Sequence, residues 1–195
     1  MGLIAATAFV LATHISHKTT IASVKTQSAE HRRLDEIWDH VDNRVITQLD
    51  LWYELGEFPE CVSLLKVQSA YSPDDYDICT SLGWMLENVD QMNQARDVYR
   101  AFSDRHPEVG DAIFALGFSY FNARDYDNAI KCLEPSLAKN PSPNSYRVLA
   151  KAYERKNMPK EAIRIWELEL KKYPDEGTAI ANIKRVKAKT ERGGK

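Results

Sequence analysis

Apolar residues recur at helical spacing along most of the chain, in pairs of stripes separated by short polar segments. Within residues 110–141, Leu116 and Tyr120 stand four residues apart and therefore lie on one face of a helix. A polar segment follows, and Ala129 and Leu133 then form a second stripe at the same spacing. This pattern predicts a helical hairpin whose two helices pack through their stripes.

The hairpin pattern occurs four times, at a period of 33 or 34 residues. Gly117, beside the first stripe, is matched by Gly83 one period earlier and by Ala150 one period later, so we expect close contact between the paired helices. Each copy ends on a proline, which has no amide hydrogen and cannot continue a helix: Pro73, Pro107, Pro141 and Pro174. One hairpin cannot bury its own apolar face, so the four copies are predicted to stack around a continuous core.

Copies of this period that carry Leu-Gly, Tyr, Ala, an aromatic residue and Pro in order resemble the tetratricopeptide repeat family. The resemblance covers about residues 42–175, and the first copy departs most, with Gln48-Leu49 in place of Leu-Gly. It implies an all-α fold: a right-handed superhelical solenoid of about four antiparallel helix pairs. The predicted repeats are residues 42–75, 76–109, 110–142 and 143–175. The family is defined by a scaffold and not by one chemistry, so the fold alone does not assign a function.

Helical caps are predicted on both sides of the repeats. Apolar residues recur at three and four through residues 28–54, which predicts one long helix or two nearly continuous ones. Its first part, residues 28–41, is predicted to cap the N-terminal end of the solenoid. Ala179, Ile183 and Val186 form another stripe within residues 176–195, which are predicted to form a C-terminal capping helix with a basic tail.

Residues 1–27 form an apolar N-terminal segment that contains no acidic residue. Its apolar run, residues 3–12, is shorter than the roughly 20 residues that a membrane-spanning helix needs. Three interpretations stay open: attachment to a membrane through residues 3–15, an organellar targeting sequence, and a helix that docks on the repeats. If the segment is an uncleaved anchor, the basic residues after it favour a cytoplasmic location for the repeats.

The charge distribution and the cysteine content indicate the kind of partner and the cellular compartment. Residues 34–143 carry eight basic and twenty acidic side chains, whereas residues 144–195 carry fourteen basic and seven acidic ones. This asymmetry predicts a dipolar surface that orients a charged partner. Cys61, Cys79 and Cys132 show no metal or redox spacing, so we expect small apolar core residues and a reducing, cytoplasmic-type compartment.

Motifs for catalysis are absent from the sequence. It contains no glycine-rich phosphate loop, no HExxH, no G-x-S-x-G and no paired Cys/His ligand set, so we expect a non-enzymatic protein without a cofactor. His14 and His17 stand three residues apart. Because they have no cysteine or carboxylate partners, they are more typical of solvated polar residues than of a metal site.

The resemblance places first-helix residues that flank the core stripe on an inner, concave wall. These candidate partner-binding residues are Trp84, Asn88, Phe114, Phe118, Phe121, Asn122, Arg147, Lys151 and Arg155. We name Phe114, Phe118 and Phe121 the aromatic stripe, and Arg147, Lys151 and Arg155 the basic ridge. An exposed aromatic surface beside basic residues is typical of a binding site. The alternative is that a capping helix or the curvature of the repeats covers the stripe.

The leading hypothesis is a protein-interaction scaffold or adaptor, which holds a peptide or helix of a partner protein in the concave groove. On this hypothesis the protein could be a subunit of a membrane-associated complex. Apolar side chains of the partner would contact Trp84 and the aromatic stripe, and acidic groups would face the basic ridge. One alternative is that residues 3–11 occupy the groove and keep it closed. Another is a helical-repeat RNA-binding protein, which the acidic middle of the chain disfavours.

Overall fold

The computed structural model describes residues 29–175 and 177–193 of the 195-residue chain. The chain divides into two compact units, residues 1–43 and 44–195. The described part of the first unit is the N-terminal half of one helix. The predicted N-terminal segment, residues 1–27, lies outside the described residues.

The described ranges contain helices and turns and no strand, which confirms the all-α prediction. The helices are α1 (Ala29–Leu55), α2 (Phe58–Tyr71), α3 (Tyr76–Asn88), α4 (Met92–Arg105), α5 (Phe114–Asn122), α6 (Tyr126–Ser136), α7 (Pro143–Arg155), α8 (Pro159–Lys172) and α9 (Gly177–Gly193). A short 3-10 helix, Leu137–Lys139, follows α6. The predicted border between an N-terminal cap and the first repeat, after residue 41, falls inside α1, which runs without a break.

In each helix pair, the turn between the two helices contains one residue in the left-handed conformation. These residues are Gly56 (φ 77°), Asp90 (φ 59°), Arg124 (φ 61°) and Asn157 (φ 57°). After each of them, the next amide donates a hydrogen bond of 2.8 to 2.9 Å to a carbonyl five residues earlier, which closes the end of the first helix. The first pair, whose sequence departs most from the repeat pattern, therefore has the same turn as the others. Residues one period apart occupy equivalent positions in the fold.

Small residues bring the paired helices close together, as the sequence predicted. A Cβ atom on Gly117 would lie 2.5 Å from Cγ of Leu133, so α5 and α6 could not approach as they do with a larger residue. Ala129 on the facing helix is completely buried. In the last pair, Ala150 replaces the glycine and faces the same buried cluster as Trp166.

The prolines that end the repeats also connect neighbouring repeats. The carbonyl oxygen of each of the first three prolines accepts a hydrogen bond from a side chain 32 residues later, at the end of the next helix pair. The pairs are Pro73 with Arg105, Pro107 with Lys139 and Pro141 with Tyr173. The recurring proline therefore both ends a helix and exposes a carbonyl group to which the following repeat binds.

The start of α5 is joined to the next repeat. The helix begins at Phe114, and Ile113, just ahead of it, has helical backbone angles (φ −84°, ψ −7°) and packs against the core. Two residues earlier, the carboxylate of Asp111 accepts hydrogen bonds of 2.9 Å from the amide and from the hydroxyl of Ser142. This contact links the segment before α5 to the segment before α7.

Two clusters of buried side chains form the core of the second unit. The first lies between α2 and α5 and includes Cys61 and Cys79 as small buried residues. Burial raises the pKa of the Cys79 thiol to about 11, which keeps it protonated at neutral pH. The second cluster lies between α6 and α9 and is centred on Trp166. The last helix, α9, packs on α8, and two members of its predicted stripe are buried, Ala179 and Val186.

Candidate functional site

The aromatic stripe is a stack of three nearly parallel rings along α5. The ring of Phe118 lies 5.7 Å from that of Phe114 with an interplanar angle of 11°, and 6.5 Å from that of Phe121 with an angle of 9°. Phe114 and Phe121 are half-buried against the second core cluster, whereas Phe118 is 40% exposed. The helix thus presents two apolar faces, one through Leu116 into the core and one through Phe118 to the surface.

A second aromatic group lies one repeat earlier. Trp84, at the position equivalent to Phe118, is 39% exposed, and its ring centroid lies 5.7 Å from that of Tyr53. Asn88 donates a 2.8 Å hydrogen bond to the backbone carbonyl of Trp84. Sequence reasoning missed Tyr53, although it stands two periods before Phe121 and the repeat register would have identified it.

The basic ridge lies on α7, which contacts α5 directly. Its three residues differ in their surroundings. Arg147 donates a 2.8 Å hydrogen bond from Nε to Glu169, whose side chain is completely buried. Lys151 and Arg155 are exposed and form no ion pair with any residue in the described ranges. Arg147 is therefore engaged in a structural ion pair, and two residues of the ridge have no such partner.

One pocket brings together three predicted site residues from two repeats. It has a volume of about 290 Å³ and is lined by Phe121, Asn122, Arg124, Tyr126 and Arg155. The ring of Tyr126, at the start of α6, meets that of Phe121 edge-on at 5.6 Å. Sequence reasoning missed Arg124 and Tyr126. Arg124 occupies the left-handed turn position, and hydrophobic periodicity does not indicate where the side chain of such a residue points.

The acidic residues nearest in sequence to Arg124 and Arg155 interact with other residues. The pairs are Asp125 with Asn128, Asp127 with Lys156, and Glu154 with Arg185. The hydrogen bond from the Asn128 side chain is the main cause that lowers the pKa of Asp125, so this carboxylate stays charged while it caps α6. Two arginines thus line the pocket, and the acidic residues next to them in sequence are engaged with other residues.

Within the described ranges, no group of three histidine, cysteine or acidic side chains is arranged to hold a metal ion. No helix in the described part of the chain has the length and apolar character that crossing a membrane requires. The candidate pair His14 and His17 and the apolar run at residues 3–12 lie outside that part.

Residues 111–142 match the model of the tetratricopeptide repeat family. The described ranges have the all-helical repeat fold that the sequence predicts, with four helix pairs that share one turn geometry. No curated protein sequence matches it.

Solved structures of MamA have a similar fold. A crystal structure of MamA is similar with a TM-score of 0.58 and 19% sequence identity, over 73% of this chain and 84% of that one. The MamA RS-1 ArsTM double mutant has a TM-score of 0.58 and 17% identity, over 76% and 84% of the two chains. A further MamA crystal structure has a TM-score of 0.56 and 19% identity, over 74% and 79%. At this identity the similarity shows the fold alone.

The tetratricopeptide-repeat register aligns the candidate residues in two columns along the first helices. We name them the Phe118 column and the Asn122 column. Their members, from the first repeat to the fourth, are Asp50, Trp84, Phe118 and Lys151 in one, and Glu54, Asn88, Asn122 and Arg155 in the other. All eight side chains are exposed. Both columns run from an acidic residue through uncharged ones to a basic residue, so this surface is electrically polar along the order of the repeats.

Proposed function

We propose that this protein is an interaction scaffold that binds a peptide or helical segment of a partner protein along the Phe118 and Asn122 columns. The observation that carries the proposal is the order of these exposed residues, which are acidic, then aromatic or amide, then basic. Stacked repeats offer extended surfaces for binding a partner. A segment with an apolar side chain in its middle and an acidic group towards α7 would match this order.

The aromatic part of the surface suits the centre of an interface. Phe118 stacks between two rings that are half-buried in the core, so its orientation is set before a partner arrives. Binding then causes little loss of side-chain entropy at Phe118, and such losses are a main unfavourable contribution to association. Full burial of an exposed phenylalanine side chain contributes about 1.5–3 kcal/mol, and Phe118, which is 40% exposed, would gain the corresponding part of this on binding. We therefore expect the two aromatic residues of the Phe118 column, Phe118 and Trp84, to contribute more to affinity than its charged residues.

The charged ends would set the direction of the bound segment. Lys151 and Arg155 attract acidic groups of the partner, and Asp50 and Glu54 attract basic ones. Because all four side chains are exposed, salt should weaken their contribution to affinity. We expect these charges to affect the association rate more than the lifetime of the complex. Membrane attachment and closure of the groove by residues 3–11 remain predictions.

The test is capture of partner proteins from native cells with the intact chain, a Phe118→Ala variant and a Lys151→Glu variant. Matched controls are Val67→Ala, an exposed apolar residue of α2, and Lys184→Glu, an exposed lysine of α9. We expect one set of proteins to bind the intact chain and both controls and to be lost from both site variants, with unchanged helical content. Equal capture by all five proteins would contradict the proposal.

A peptide array that tiles the captured partner would then locate the bound segment. The proposal requires an apolar residue flanked on one side by acidic residues. A partner captured through nucleic acid, and lost on nuclease treatment, would instead support the RNA-binding alternative.

A further inference from the structure

We propose that the pocket lined by Phe121, Asn122, Arg124, Tyr126 and Arg155 is an anion site, which binds a carboxylate or phosphate group carried on an apolar side chain of the partner. The inference rests on the proposed function in one respect only, that the anion belongs to a bound protein segment. The pocket itself can be tested without knowing the partner.

The first argument is the convergence of donors from separate elements. Arg124 enters from the turn between α5 and α6, Arg155 from the end of α7, and Asn122 from the end of α5. A guanidinium group presents a planar set of N–H donors that matches the oxygens of carboxylate and phosphate groups. Arg124, Arg155 and Asn122, which line one pocket, together carry more N–H donors than one such anion can use.

The second argument is the balance of charge around the pocket. Neither Arg124 nor Arg155 forms an ion pair with a residue in the described ranges. The acidic residues next to them in sequence are held by Asn128, Lys156 and Arg185. Two like charges that line one concavity raise the local concentration of anions, and an anion bound between them removes their mutual repulsion.

The third argument is the shape of the pocket. Phe121 and Tyr126 form an aromatic wall through their edge-on contact. The volume of about 290 Å³ is larger than a lone carboxylate or phosphate group requires. Ligand sites typically combine apolar walls with a few convergent polar groups, so the space beside the rings suits the hydrocarbon part of the same side chain.

The equivalent turn one repeat earlier provides an internal comparison. Asp90 stands there in the same left-handed conformation as Arg124. A pocket of about 320 Å³ at that turn is lined by Asp90, Gln91, Met92, Asn93 and Gln94, and none of these residues is cationic. The same backbone geometry therefore occurs with and without the pair of arginines, and only the side chains make the third-repeat turn suitable for an anion.

The experiment is an NMR titration of the full ¹⁵N-labelled chain at low salt with three probes: phenyl phosphate, phenylacetate and neutral benzyl alcohol. We expect saturable shifts at the amides of residues 121–126 and at the side chain of Arg155 with at least one anion, and none with benzyl alcohol. The variant Arg124→Gln/Arg155→Gln should bind that anion at least about tenfold more weakly, since each lost charged contact typically weakens binding by that order. Lys160→Gln, an exposed lysine of α8, is the matched control and should bind as the intact chain does.

If only phenyl phosphate binds, the ligand is a phosphorylated side chain of the partner. If both anions bind, the carboxylate of an ordinary acidic residue is also a ligand. Absence of binding, or shifts spread over α8 and α9 that the double variant keeps, would overturn the anion site. That result would leave the scaffold function standing if capture still depends on Phe118. Conversely, anion binding with capture that is independent of Phe118 would overturn the proposed function and keep the pocket.

Discussion

Gly83 of α3 lies against the ring of Tyr99 of α4, so close that a Cβ atom on Gly83 would stand 2.1 Å from Cε1 of the tyrosine. Tyr99 is buried, and this burial raises the pKa of its hydroxyl group. The contact shows why a glycine recurs beside the core stripe. In the second and third pairs, the second helix places a large side chain, Tyr99 or Leu133, where the first helix has a glycine.

The substitution Gly83→Ala should therefore lower the free energy of unfolding by about 2–3 kcal/mol, because overpacking a well-ordered core typically costs up to that amount. Urea denaturation followed by circular dichroism measures the change. Gly177→Ala is the control, since a Cβ atom there meets no atom within 4 Å. An equal unfolding midpoint for Gly83→Ala and the intact chain would show that Tyr99 can move away freely.

Arg147→Ala should destabilise the protein through Glu169. The side chain of Glu169 is completely buried and its Oε1 atom accepts a 2.8 Å hydrogen bond from Arg147. Removal of one partner of a buried ion pair typically costs about 3–5 kcal/mol, because the charge that stays buried loses this counterion. Lys151→Ala, one helical turn along on the same ridge, should change stability by less than about 0.5 kcal/mol.

This pair of variants also separates structural from binding roles on α7. If Arg147→Ala unfolds in urea at the same concentration as Lys151→Ala, Arg147 is not a structural residue and its role in partner binding should be reconsidered. Thermal and urea midpoints measured on both proteins decide between these cases.

The left-handed turn at Arg124 should tolerate glycine and reject a β-branched residue. Arg124→Gly relieves backbone strain but makes the unfolded chain more flexible, so we expect stability within about 0.5 kcal/mol of the intact protein. Arg124→Val should cost more than about 1 kcal/mol, because β-branched residues rarely adopt positive φ. Calorimetric melting of both variants measures the difference. Equal melting temperatures would argue against the left-handed conformation at this position.

Asp125 should make the stability of α6 depend on pH. Its carboxylate accepts hydrogen bonds from the amide and the side chain of Asn128, which lower its pKa below the ordinary value of 3.8. A carboxylate with a lowered pKa in the folded state contributes stability above the ordinary pKa and loses it as the pH falls through the folded value. Asp125→Ala should cost about 1 kcal/mol at neutral pH, a typical value for a lost helix cap.

The difference in stability between the intact chain and Asp125→Ala should therefore narrow in acid, from about pH 4 downwards. Urea unfolding at a series of pH values measures it. Asp125→Asn is the control, because an uncharged amide retains a capping oxygen without titrating. A gap that stays constant across this range would contradict the capping role of the charged form.

Much of the helix order followed from local pattern. The spacing of Leu116, Tyr120, Ala129 and Leu133, repeated at a fixed period, predicted hairpins that the structure confirms. Local pattern did not indicate the hydrogen bond from Ser142 to Asp111, which lies just ahead of α5. That contact joins residues 31 positions apart, and no helical period reports it.

The candidate site stays a prediction, and the structure adds contacts that the sequence did not show. Of the three predicted basic residues, Arg147 pairs with Glu169, 22 residues later, whereas Lys151 and Arg155 form no ion pair with a residue in the described ranges. The repeat register places Phe118 and Trp84 at equivalent exposed positions. Sequence reasoning missed Tyr53, which the structure brings against the ring of Trp84.

By itself, the sequence determined the repeat period, the pairing of the helices within a repeat and the face of each pair that carries the core stripe. These follow from periodicity and from the residues that start and stop helices, which act over a few positions. Tertiary structure alone decided that Arg147 neutralises a buried acid and that Arg124 and Arg155 line one pocket. The physical reason is that ion pairs and pockets join side chains from different helices, and their positions depend on how the helices pack.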